Sequence, residues 1–587
     1  MYFELLANEL ILDLFEYLDG TNLLYCFSGL NSRLNHLLLF HFRSYHFDFR
    51  SISRRKFETI CRYSIPLIFD RIQSLSLSND DETPHLPDFF FSFGLTFNQF
   101  TYLKSLSFYS IESCEQLNYF ITQCHQLSYL VHLQIIESNL NNDKKELHRL
   151  MNNIWSLSKL EYLNLDENTF DKLRLKKINV ISNSLRKISM ENVRCSLDEF
   201  KHLIKQTPNI ESIHLSIEFN FQDEHIRILK SKIKHLKLTF ESSYPVLIKL
   251  FRMMPNLLSL KIKTSDLYFK GAQWEKILDK YLIYLKIFQF RMYFQFPLKK
   301  RLDEEFDELL TSYKTPFWIV KHQLYVACDC IPFHESFHGI IYTLPYNFDQ
   351  FIRYNTIKSA STYPNPMFNW TFDKVRHVQY LNPTNDSNIL PIEFRKIRHL
   401  KVGIPFDGYF LSLIPSLENL YSVEVILGDN FPYEQLQKLL ELAPNVYSLK
   451  ILCSLDFKIC LNRLKSSSIR RLNFIPKCSS TKGFFNNDEC SRLAYSQLAQ
   501  QCQVLSIRLE NRTNILDLLR TMIHLRSLNI QCFDDPMLQQ NSSIADDQFL
   551  QWLASVLPPT YLISRDKHQY QLSTVKIWID EQQRLTN

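Results

Sequence analysis

The stretch MMPNLLSLKI, residues 253–262, ends one apolar segment, turns at Pro255-Asn256 and continues as an alternation of apolar and polar residues. Closely similar phrases occur as QTPNIESIHL at 206–215 and LAPNVYSLKI at 442–451. The return of the same local chemistry at long intervals indicates one structural unit that is used many times. The repeat therefore decides the fold.

The repeat has a frame of an aliphatic residue, two variable positions, a second aliphatic residue, one variable position and a third apolar residue. It recurs in two arrays at intervals of 21 to 31 residues, with one step of 35 between Ile469 and Val504. The units begin at Ile72, Leu103, Leu130, Leu160, Leu185, Ile210, Ile233, Leu257 and Leu282, and then at Val375, Ile397, Leu420, Val446, Ile469, Val504 and Leu525. Buried strands of an ordinary α/β domain are also short apolar runs, but they would not keep this spacing in 16 segments.

Each unit combines a predicted strand with a predicted helix. Leu260 and Ile262 face one side of a strand with period 2, while Ser259 and Lys261 face the other. Helical spacing between strands is seen at 197–206, 244–254 and 433–443, each followed by a proline that cannot continue the helix. Stacked units bury a common core, which predicts an α/β solenoid with a parallel sheet on its concave face and helices outside.

The strand signature L-x-x-L-x-L resembles that of leucine-rich repeats, as in LEYLNL at 160–165 and LRSLNI at 525–530. The resemblance covers residues 71–290 and 371–580. Most units lack the Asn or Cys that the family places three residues after the third apolar position, although Asn168 supplies it once. We therefore expect irregular repeats.

The N-terminal segment LLANELILDLFEYLDGTNLLYCFSGLNSRLNHLL, residues 5–38, has two helical patterns. Leu6, Leu10, Leu14 and Leu18 recur every four residues in the first, which ends near Asp19-Gly20. A second pattern follows through Leu23, Leu24, Phe27, Leu30, Leu34 and Leu37. A helical segment of about forty residues has a marginal core on its own.

This segment resembles an F-box, whose usual form is L-P-x-E-[LI]-x-x-x-[IL]-[FL]-x-[YF]-L followed by a charged turn and D-L-L. Ala7 stands in place of the usual proline and Leu34 in place of a later tryptophan. The resemblance implies docking on a Skp-family adaptor that leads to a cullin ubiquitin ligase. The adaptor-binding residues would be Leu6, Glu9, Leu10, Leu14, Phe15, Leu18, Leu23, Leu24, Phe27, Leu30 and Leu34. The alternative is that these helices only cap the first repeat.

The predicted domains follow from these boundaries. They are an F-box helical domain at 1–45, a connecting segment at 46–70, a first array at 71–290, a non-repeat α+β insert at 291–370 and a second array at 371–587. The insert should contain an amphipathic helix and then a strand. Its Pro-Phe-Trp run and YTLPY at 342–346 resemble a subgroup of expanded invertebrate F-box proteins.

The insert also holds a metal-like cluster, Cys328, Cys330, His334 and His338, in CDCIPFHESFH. Thiolate and imidazole groups are zinc ligands, and four of them could form a tetrahedral site. Structural zinc sites usually space their cysteines by two to four residues, and Pro332 interrupts this cluster. A turn with incidental polar residues is the favoured interpretation, and we expect no metal or other cofactor.

The outward positions of the strands are rich in basic and aromatic residues. The predicted substrate-binding set on the concave face is Lys237, Lys261, Lys286, Lys401, Lys450, Arg508, His235 and Tyr284. Lysine and arginine form charge-assisted hydrogen bonds with carboxylate and phosphate, so this face would favour an acidic or phosphorylated protein. The alternative is that these lysines only keep the exposed strands soluble.

Composition restricts the remaining functions. The net charge is +6, from 67 basic and 61 acidic residues, which is small for a nucleic-acid-binding protein. The N-terminus has no secretory pattern, and 13 scattered cysteines fit a reducing compartment, so we expect a soluble cytoplasmic or nuclear protein without a membrane partner. No G-x-S-x-G, Walker A or G-x-G-x-x-G motif occurs. The one H-E-x-x-H match, HESFH at 334–338, lies in the predicted turn of the insert, whereas the zinc chemistry of that motif needs a helix, so the motifs argue against an enzyme.

The sequence therefore predicts a non-catalytic substrate-recognition subunit of an SCF-type ubiquitin ligase, acting in ubiquitin-dependent protein degradation. The F-box would bind the adaptor and the solenoid would bind the protein substrate. The alternative is a leucine-rich-repeat-like scaffold for protein–protein interaction without a ligase role.

Overall fold

The structure is a computed structural model. It describes residues 5–111, 113–138, 140, 144–165, 173–218, 228–296, 301–334, 336–365, 368–381, 390–427, 432–452, 463–475, 483–533, 547–566 and 574–580. Asn168, the residue that matched the leucine-rich-repeat pattern, lies outside these ranges.

The first sheet has 13 strands, of which the first ten follow chain order and pair in parallel. They are β1 Tyr45–Asp48, β2 Ile72–Ser78, β3 Ser105–Tyr109, β4 His132–Ile136, β5 Tyr162–Leu165, β6 Lys187–Cys195, β7 Ser212–Glu218, β8 His235–Glu241, β9 Ser259–Ser265 and β10 Ile287–Gln295. Three antiparallel strands complete the sheet in the order β12, β11, β14: β11 Tyr325–Phe333, β12 Ser336–Leu344 and β14 Lys358–Ser361.

The second sheet has ten strands, and its last two are antiparallel. In spatial order they are β13 Gln350–Arg353, β16 His377–Tyr380, β18 His399–Ile404, β19 Ser422–Leu427, β20 Ser448–Leu452, β21 Arg471–Asn473, β22 Val504–Leu509, β23 Ser527–Cys532, β25 Thr574–Trp578 and β24 Leu562–Asp566. A small separate sheet pairs β15 Trp370–Thr371 with β17 Ile392–Glu393.

The described residues also form 18 α-helices, most of them between consecutive strands. The first nine are α1 Asn8–Phe15, α2 Gly20–Phe27, α3 Ser32–His36, α4 Arg54–Thr59, α5 Ile65–Ile68, α6 Leu86–Ser92, α7 Cys114–Cys124, α8 Lys144–Trp155 and α9 Leu197–Gln206. The others are α10 Tyr244–Arg252, α11 Gly271–Tyr281, α12 Leu302–Thr311, α13 Phe410–Leu413, α14 Tyr433–Leu442, α15 Asn487–Ala494, α16 Gln497–Gln500, α17 Asn514–Thr521 and α18 Gln548–Val556.

The apolar frame of the repeat becomes a ladder across each sheet. Leu236 of β8 pairs with Leu260 of β9, and Leu260 pairs with Phe288 of β10. These side chains lie in one core together with helix residues such as Leu250 of α10. Helices therefore cover the apolar face of the sheet, and the other side, here called the polar face, carries the residues between the second and third apolar positions. The mixed α/β fold with long parallel sheets is consistent with the predicted leucine-rich-repeat-like solenoid.

Two of the predicted repeat frames have the wrong register. In the last unit of the first array, Ser259 pairs with Ile287 and Leu260 with Phe288, so the strand begins five residues after Leu282. In β22 the residue that pairs with Leu472 is Leu505, so Val504 is not the first position of the frame. Both errors arise where successive residues are apolar, because alternation alone then permits more than one register.

The insert joins the two arrays. Its amphipathic helix is α12, as predicted, and its strand β12 pairs antiparallel with β10, while β11 pairs antiparallel with β12. The second sheet then begins at β13, before the predicted start of the second array. At the other end, the first sheet begins with β1, one strand earlier than the repeat series.

The second sheet also contacts the start of the first array. Trp578 of β25 is fully buried in the core of the first array, with its ring 6.0 Å from that of Phe57 and 6.1 Å from that of Phe89. Arg526 adds a hydrogen bond from its Nη2 to the backbone oxygen of Ser51 at 2.9 Å. Within the described ranges, no helix has the length and apolar character needed to span a membrane.

Candidate functional site

The N-terminal helices form a small packed unit. Asp19 caps α2 by accepting hydrogen bonds from the backbone N–H of Thr21 and Asn22, at 2.8 and 3.1 Å. Asn31 caps α3 in the same way. Arg33 of α3 reaches back to the residue that begins α1, donating to Oδ1 of Asn8 at 2.8 Å. The caps stabilise the starts of α2 and α3, and the hydrogen bond from Arg33 to Asn8 joins α3 to α1.

One side of this unit is core. The rings of Phe15 and Phe27 lie 5.2 Å apart, and the ring of Phe42 lies 5.8 Å from Phe15. Gly20, at the start of α2, approaches the ring of Phe47 so closely that an added Cβ would lie 2.8 Å from it. The unit therefore packs directly on β1 and covers the end of the first array.

The other side exposes large apolar residues. Leu10 and Leu14, one turn apart on α1, are 52% and 43% exposed. Between residues 5 and 40, all of which the structure describes, the exposed large apolar residues are Leu5, Leu10, Leu14, Tyr17, Tyr25, Leu30 and Phe40. The clustering of these residues in the first forty positions makes this unit the candidate docking site.

The predicted adaptor-binding residues divide between the two sides. Glu9, Leu10, Leu14 and Leu30 are exposed, and Leu6, Leu18 and Phe27 are partly buried. Phe15, Leu23, Leu24 and Leu34 are buried in the core and cannot contact a partner while the unit stays folded. Leu5, Tyr25 and Phe40 are exposed but were not in the predicted set. Adaptor binding by the exposed residues stays a prediction.

On the polar face of the first sheet, predicted basic residues meet acidic and carbonyl groups of the same chain. Nζ of Lys237 and Nζ of Lys263 each lie 3.4 Å from Oε1 of Glu191, which belongs to an irregular part of β6. Lys261 donates to the backbone oxygen of Asn347, in the loop at 345–349 that follows β12. Lys237 and Lys261, two of the eight residues predicted to bind substrate, are thus engaged within the chain.

The electrostatics of this cluster affect His214 of β7. Burial lowers the pKa of His214, and the neighbouring Lys237 lowers it further, to about 4. Burial acts to raise the pKa of Glu191, but His214 and the two lysines outweigh it and leave that pKa below its ordinary value. At neutral pH the cluster therefore has a neutral imidazole and an ionised carboxylate between two ammonium groups.

On the polar face of the second sheet the pattern is similar. Lys401 and Lys450 flank Glu424, with Nζ–Oε distances of 2.7 and 3.6 Å. Further along, Arg471 contacts Asp81 at 3.0 Å and Glu82 at 3.2 Å. The two acidic residues belong to the loop that follows β2, in the first array.

Three residues of the predicted substrate-binding set are placed differently from the prediction. Tyr284 and Lys286 lie in the turn before β10, not on the polar face of a strand, because the register of that unit is shifted. Gln289 takes the position expected for Lys286. Arg508 is on β22 but is 1% exposed and donates from Nε to Gln531 at 2.8 Å. His235 is exposed at the start of β8, as predicted.

The cysteine and histidine residues of the insert do not converge. Cys328 pairs with Ile341 and Cys330 with Gly339, while His338 pairs with Ile331. Directly paired residues share a face of a sheet, so His338 lies on the side opposite both cysteines. Within the described ranges, no group of three or more His, Cys, Asp or Glu residues could hold a metal ion. The metal candidate is therefore contradicted by the register.

Local sequence signals existed for some of the residues that were missed. The acidic run Asp80-Asp81-Glu82 directly follows a predicted strand, and Lys263 lies two positions after Lys261 on the same face. Their partners, however, are far away in the chain: 72 residues separate Lys263 from Glu191, and 365 separate Glu82 from Tyr447. The periodicity of a strand identifies which residues lie on its polar face, but it does not identify the distant residues of the chain that contact them.

Comparisons with known proteins add little to these observations. No protein-family model matches the chain, and no curated protein matches it. Among solved structures, the chain is similar to the crystal structure of a TLR13–ssRNA13 complex, at 13% identity, with 78% of this chain and 69% of that chain covered and a TM-score of 0.24. A likeness at that TM-score carries no argument about ligand or activity.

Proposed function

We propose that this chain is a non-catalytic substrate-recognition subunit of an SCF-type cullin ubiquitin ligase. Its N-terminal helices bind a Skp-family adaptor, and its solenoid binds the protein that is to be ubiquitylated. The observation that carries the proposal is the exposure of apolar residues on these helices, in a segment that resembles an F-box.

The distribution of exposed apolar residues supports docking over capping alone. Seven of the 27 exposed large apolar side chains in the described part of the chain lie between residues 5 and 40. A cap needs only the buried side of the unit, where Phe15 and Leu24 pack. Full burial of an exposed leucine side chain contributes about 1.5–3 kcal/mol, and Leu10 and Leu14, which are already about half buried, would contribute about half of that each. Several such residues together provide the centre of an interface. The two roles use opposite sides of one unit.

The test is co-purification of the full chain with a purified Skp-family adaptor. The double variant Leu10→Asp and Leu14→Asp should abolish capture because two charges would enter the apolar interface. Phe15 is unsuitable for this purpose, since it is 0% exposed and its replacement would unfold the unit.

A matched control uses exposed apolar residues far along the chain. Leu442 is 44% exposed and Tyr495 is 76% exposed, so Leu442→Asp with Tyr495→Asp adds the same charges at comparable exposure. The control should still bind the adaptor. If the unchanged, folded chain fails to bind, the protein is better described as a repeat scaffold without a ligase role.

A further inference from the structure

The loop after β2 lies against the polar face of the second sheet. This acidic loop, residues 79–83, contains Asp80, Asp81 and Glu82 and follows the end of β2. Asp80 shapes it as a tight turn, because its Oδ1 accepts hydrogen bonds from the backbone N–H of Glu82 at 2.9 Å and of Thr83 at 3.0 Å. The turn presents Asp81 and Glu82 outward as a preformed pair of carboxylates.

Charged and hydroxyl side chains of the second sheet contact this pair of carboxylates. Arg471 of β21 contacts both carboxylates, and Tyr447, just before β20, donates from its hydroxyl to Glu82 at 3.0 Å. Lys576 of β25 lies 3.8 Å from Oδ1 of Asp81. The charged and hydroxyl donors thus come from strands on both sides of the loop.

Side chains of the second sheet also donate hydrogen bonds to the backbone of the acidic loop. The hydroxyl of Ser527 donates to the backbone oxygen of Asp81 at 2.6 Å, and Nδ2 of Asn529 donates to the same oxygen at 3.0 Å. Lys576 donates to the backbone oxygen of Asn79 at 3.3 Å. Side-chain donors on neighbouring strands that satisfy both carboxylates and carbonyl groups are the arrangement by which a protein surface recognises a short acidic segment.

Arg471 and Asp81 are the accessible part of this contact. Their side chains are 25% and 28% exposed, whereas those of Glu82 and Lys576 are 6% exposed, so exchange with an incoming segment begins at Arg471 and Asp81. A cleft of about 780 Å³ lies beside the loop. Its lining is mixed in charge, with Arg50, Arg398 and Arg471 together with Asp48, Asp80, Glu82, Glu137 and Glu418. The cleft gives an incoming chain segment access to two of the donors, Arg471 and Tyr447.

We infer that the polar face of the second sheet between Tyr447 and Lys576 is a recognition site for a short acidic peptide, and that Asp81 and Glu82 occupy this site in cis. A segment of another protein with two adjacent carboxylates would bind there by displacing the loop. The inference rests on the proposed function only for the source of that peptide, which in that function is the substrate protein.

Occupation in cis sets a threshold for binding. A tethered loop competes at a high effective concentration, so a weak acidic peptide does not enter the closed site. The apparent dissociation constant of a peptide rises in inverse proportion to the open fraction. Only a segment that makes more contacts than the loop, or a change that releases the loop, allows binding.

The test uses a fluorescent synthetic peptide with the sequence of residues 76–86, SLSNDDETPHL, added in trans to the full-length protein. Two variants release the loop: Asp81→Lys with Glu82→Lys by repulsion from Arg471, and Asp81→Asn with Glu82→Gln by loss of charge. Both should bind the peptide with a dissociation constant at least about tenfold below that of the unchanged protein. Circular dichroism confirms that each variant is folded, and the neutral variant serves if the lysine variant does not fold.

Specificity is tested in the same assay. Adding Arg471→Ala to either loop variant should abolish peptide binding, as should a peptide with Asn and Gln in place of its acidic residues. Absence of binding to the folded loop variants overturns the inference, as does equal binding by the unchanged protein or binding that is insensitive to Arg471→Ala.

Adaptor capture, measured on the same proteins, keeps the two proposals apart. Peptide binding without adaptor capture supports the acidic-peptide site and contradicts the ligase role. Adaptor capture without peptide binding contradicts the site and leaves the ligase role standing.

Discussion

At the scale of single residues, neighbours on α1 have opposite roles. Ile11 and Phe15 are fully buried, whereas Leu10 and Leu14 remain half exposed. The sequence predicts an amphipathic helix through the spacing of its leucines, and the structure places part of that stripe outside. Helical periodicity identifies a stripe but cannot say where the core ends and a docking surface begins, since both are apolar.

This division predicts different effects of alanine substitution. Phe15→Ala should lower the free energy of unfolding of the N-terminal unit by about 3–5 kcal/mol, because a buried ring leaves a cavity. Leu10→Ala should change it by less than about 0.5 kcal/mol, as is usual for exposed positions. Hydrogen exchange of the amides of α1 and α2 measures the change in the free energy of unfolding for each variant. A large loss with Leu10→Ala would mean that Leu10 belongs to the core.

The buried His214 makes stability depend on pH. Burial and Lys237 hold its pKa at about 4, compared with about 6.5 in an unfolded chain. Between these values the unfolded state binds more protons, so the free energy of unfolding falls as the pH falls from about 6.5 towards 4. His214→Gln should make the urea midpoint less dependent on pH over this range. An unchanged dependence would show that His214 does not contribute.

At the scale of elements, the repeat frame predicted most strands, and its errors are instructive. The frame is correct where polar residues separate the apolar ones, as in SLKIKT of β9. It fails near β10, where Leu282, Leu285, Ile287 and Phe288 offer several equivalent registers. The register that forms is set by pairing with the neighbouring strands, which a local stretch of sequence does not contain.

The register of β10 can be tested by substitution. Phe290 is fully buried and Ile287 is 54% exposed, although the predicted frame made Ile287 the third core position. Phe290→Ala should destabilise the protein by about 3–5 kcal/mol, and Ile287→Ala should have little effect. Thermal unfolding of the two variants decides between the registers. A greater loss with Ile287→Ala would restore the predicted frame.

The hairpin that closes the first sheet depends on a glycine. An added Cβ at Gly339 of β12 would lie 2.4 Å from the ring of Phe294 on the paired strand β10. Gly339→Ala should therefore destabilise the protein by about 1–3 kcal/mol through overpacking. Gly408, where an added Cβ meets nothing within 4 Å, is the matched control and should tolerate alanine. Equal melting temperatures for the two variants would contradict this packing.

At the scale of the whole molecule, contacts between distant parts of the chain dominate. The core of the first array includes Trp578, and the acidic loop at 79–83 reaches the second sheet. Nothing in a repeat frame predicts such contacts, because they join surfaces whose partners lie nearly 400 residues apart in the case of Asp81 and Arg471. Composition and spacing gave the architecture of the arrays but not their mutual contact.

Trp578 should hold the two arrays together. Trp578→Ala removes a large buried ring from the contact with Phe57 and Phe89, so the arrays should separate and the radius of gyration should increase. Trp274→Ala is the control, because Trp274 is equally buried but packs within the first array. Small-angle X-ray scattering measures the radius of gyration of both variants. An unchanged radius for a folded Trp578→Ala variant would show that other contacts suffice.

The central claim is that the N-terminal helices dock on an adaptor while the rest of the chain remains available for a substrate. The most direct measurement is hydrogen–deuterium exchange of the full chain with and without a purified Skp-family adaptor. We predict slower exchange confined to residues 5–40, with the largest change around Leu10 and Leu14. Protection located mainly in the repeat arrays, or no protection at saturating adaptor, would contradict the account.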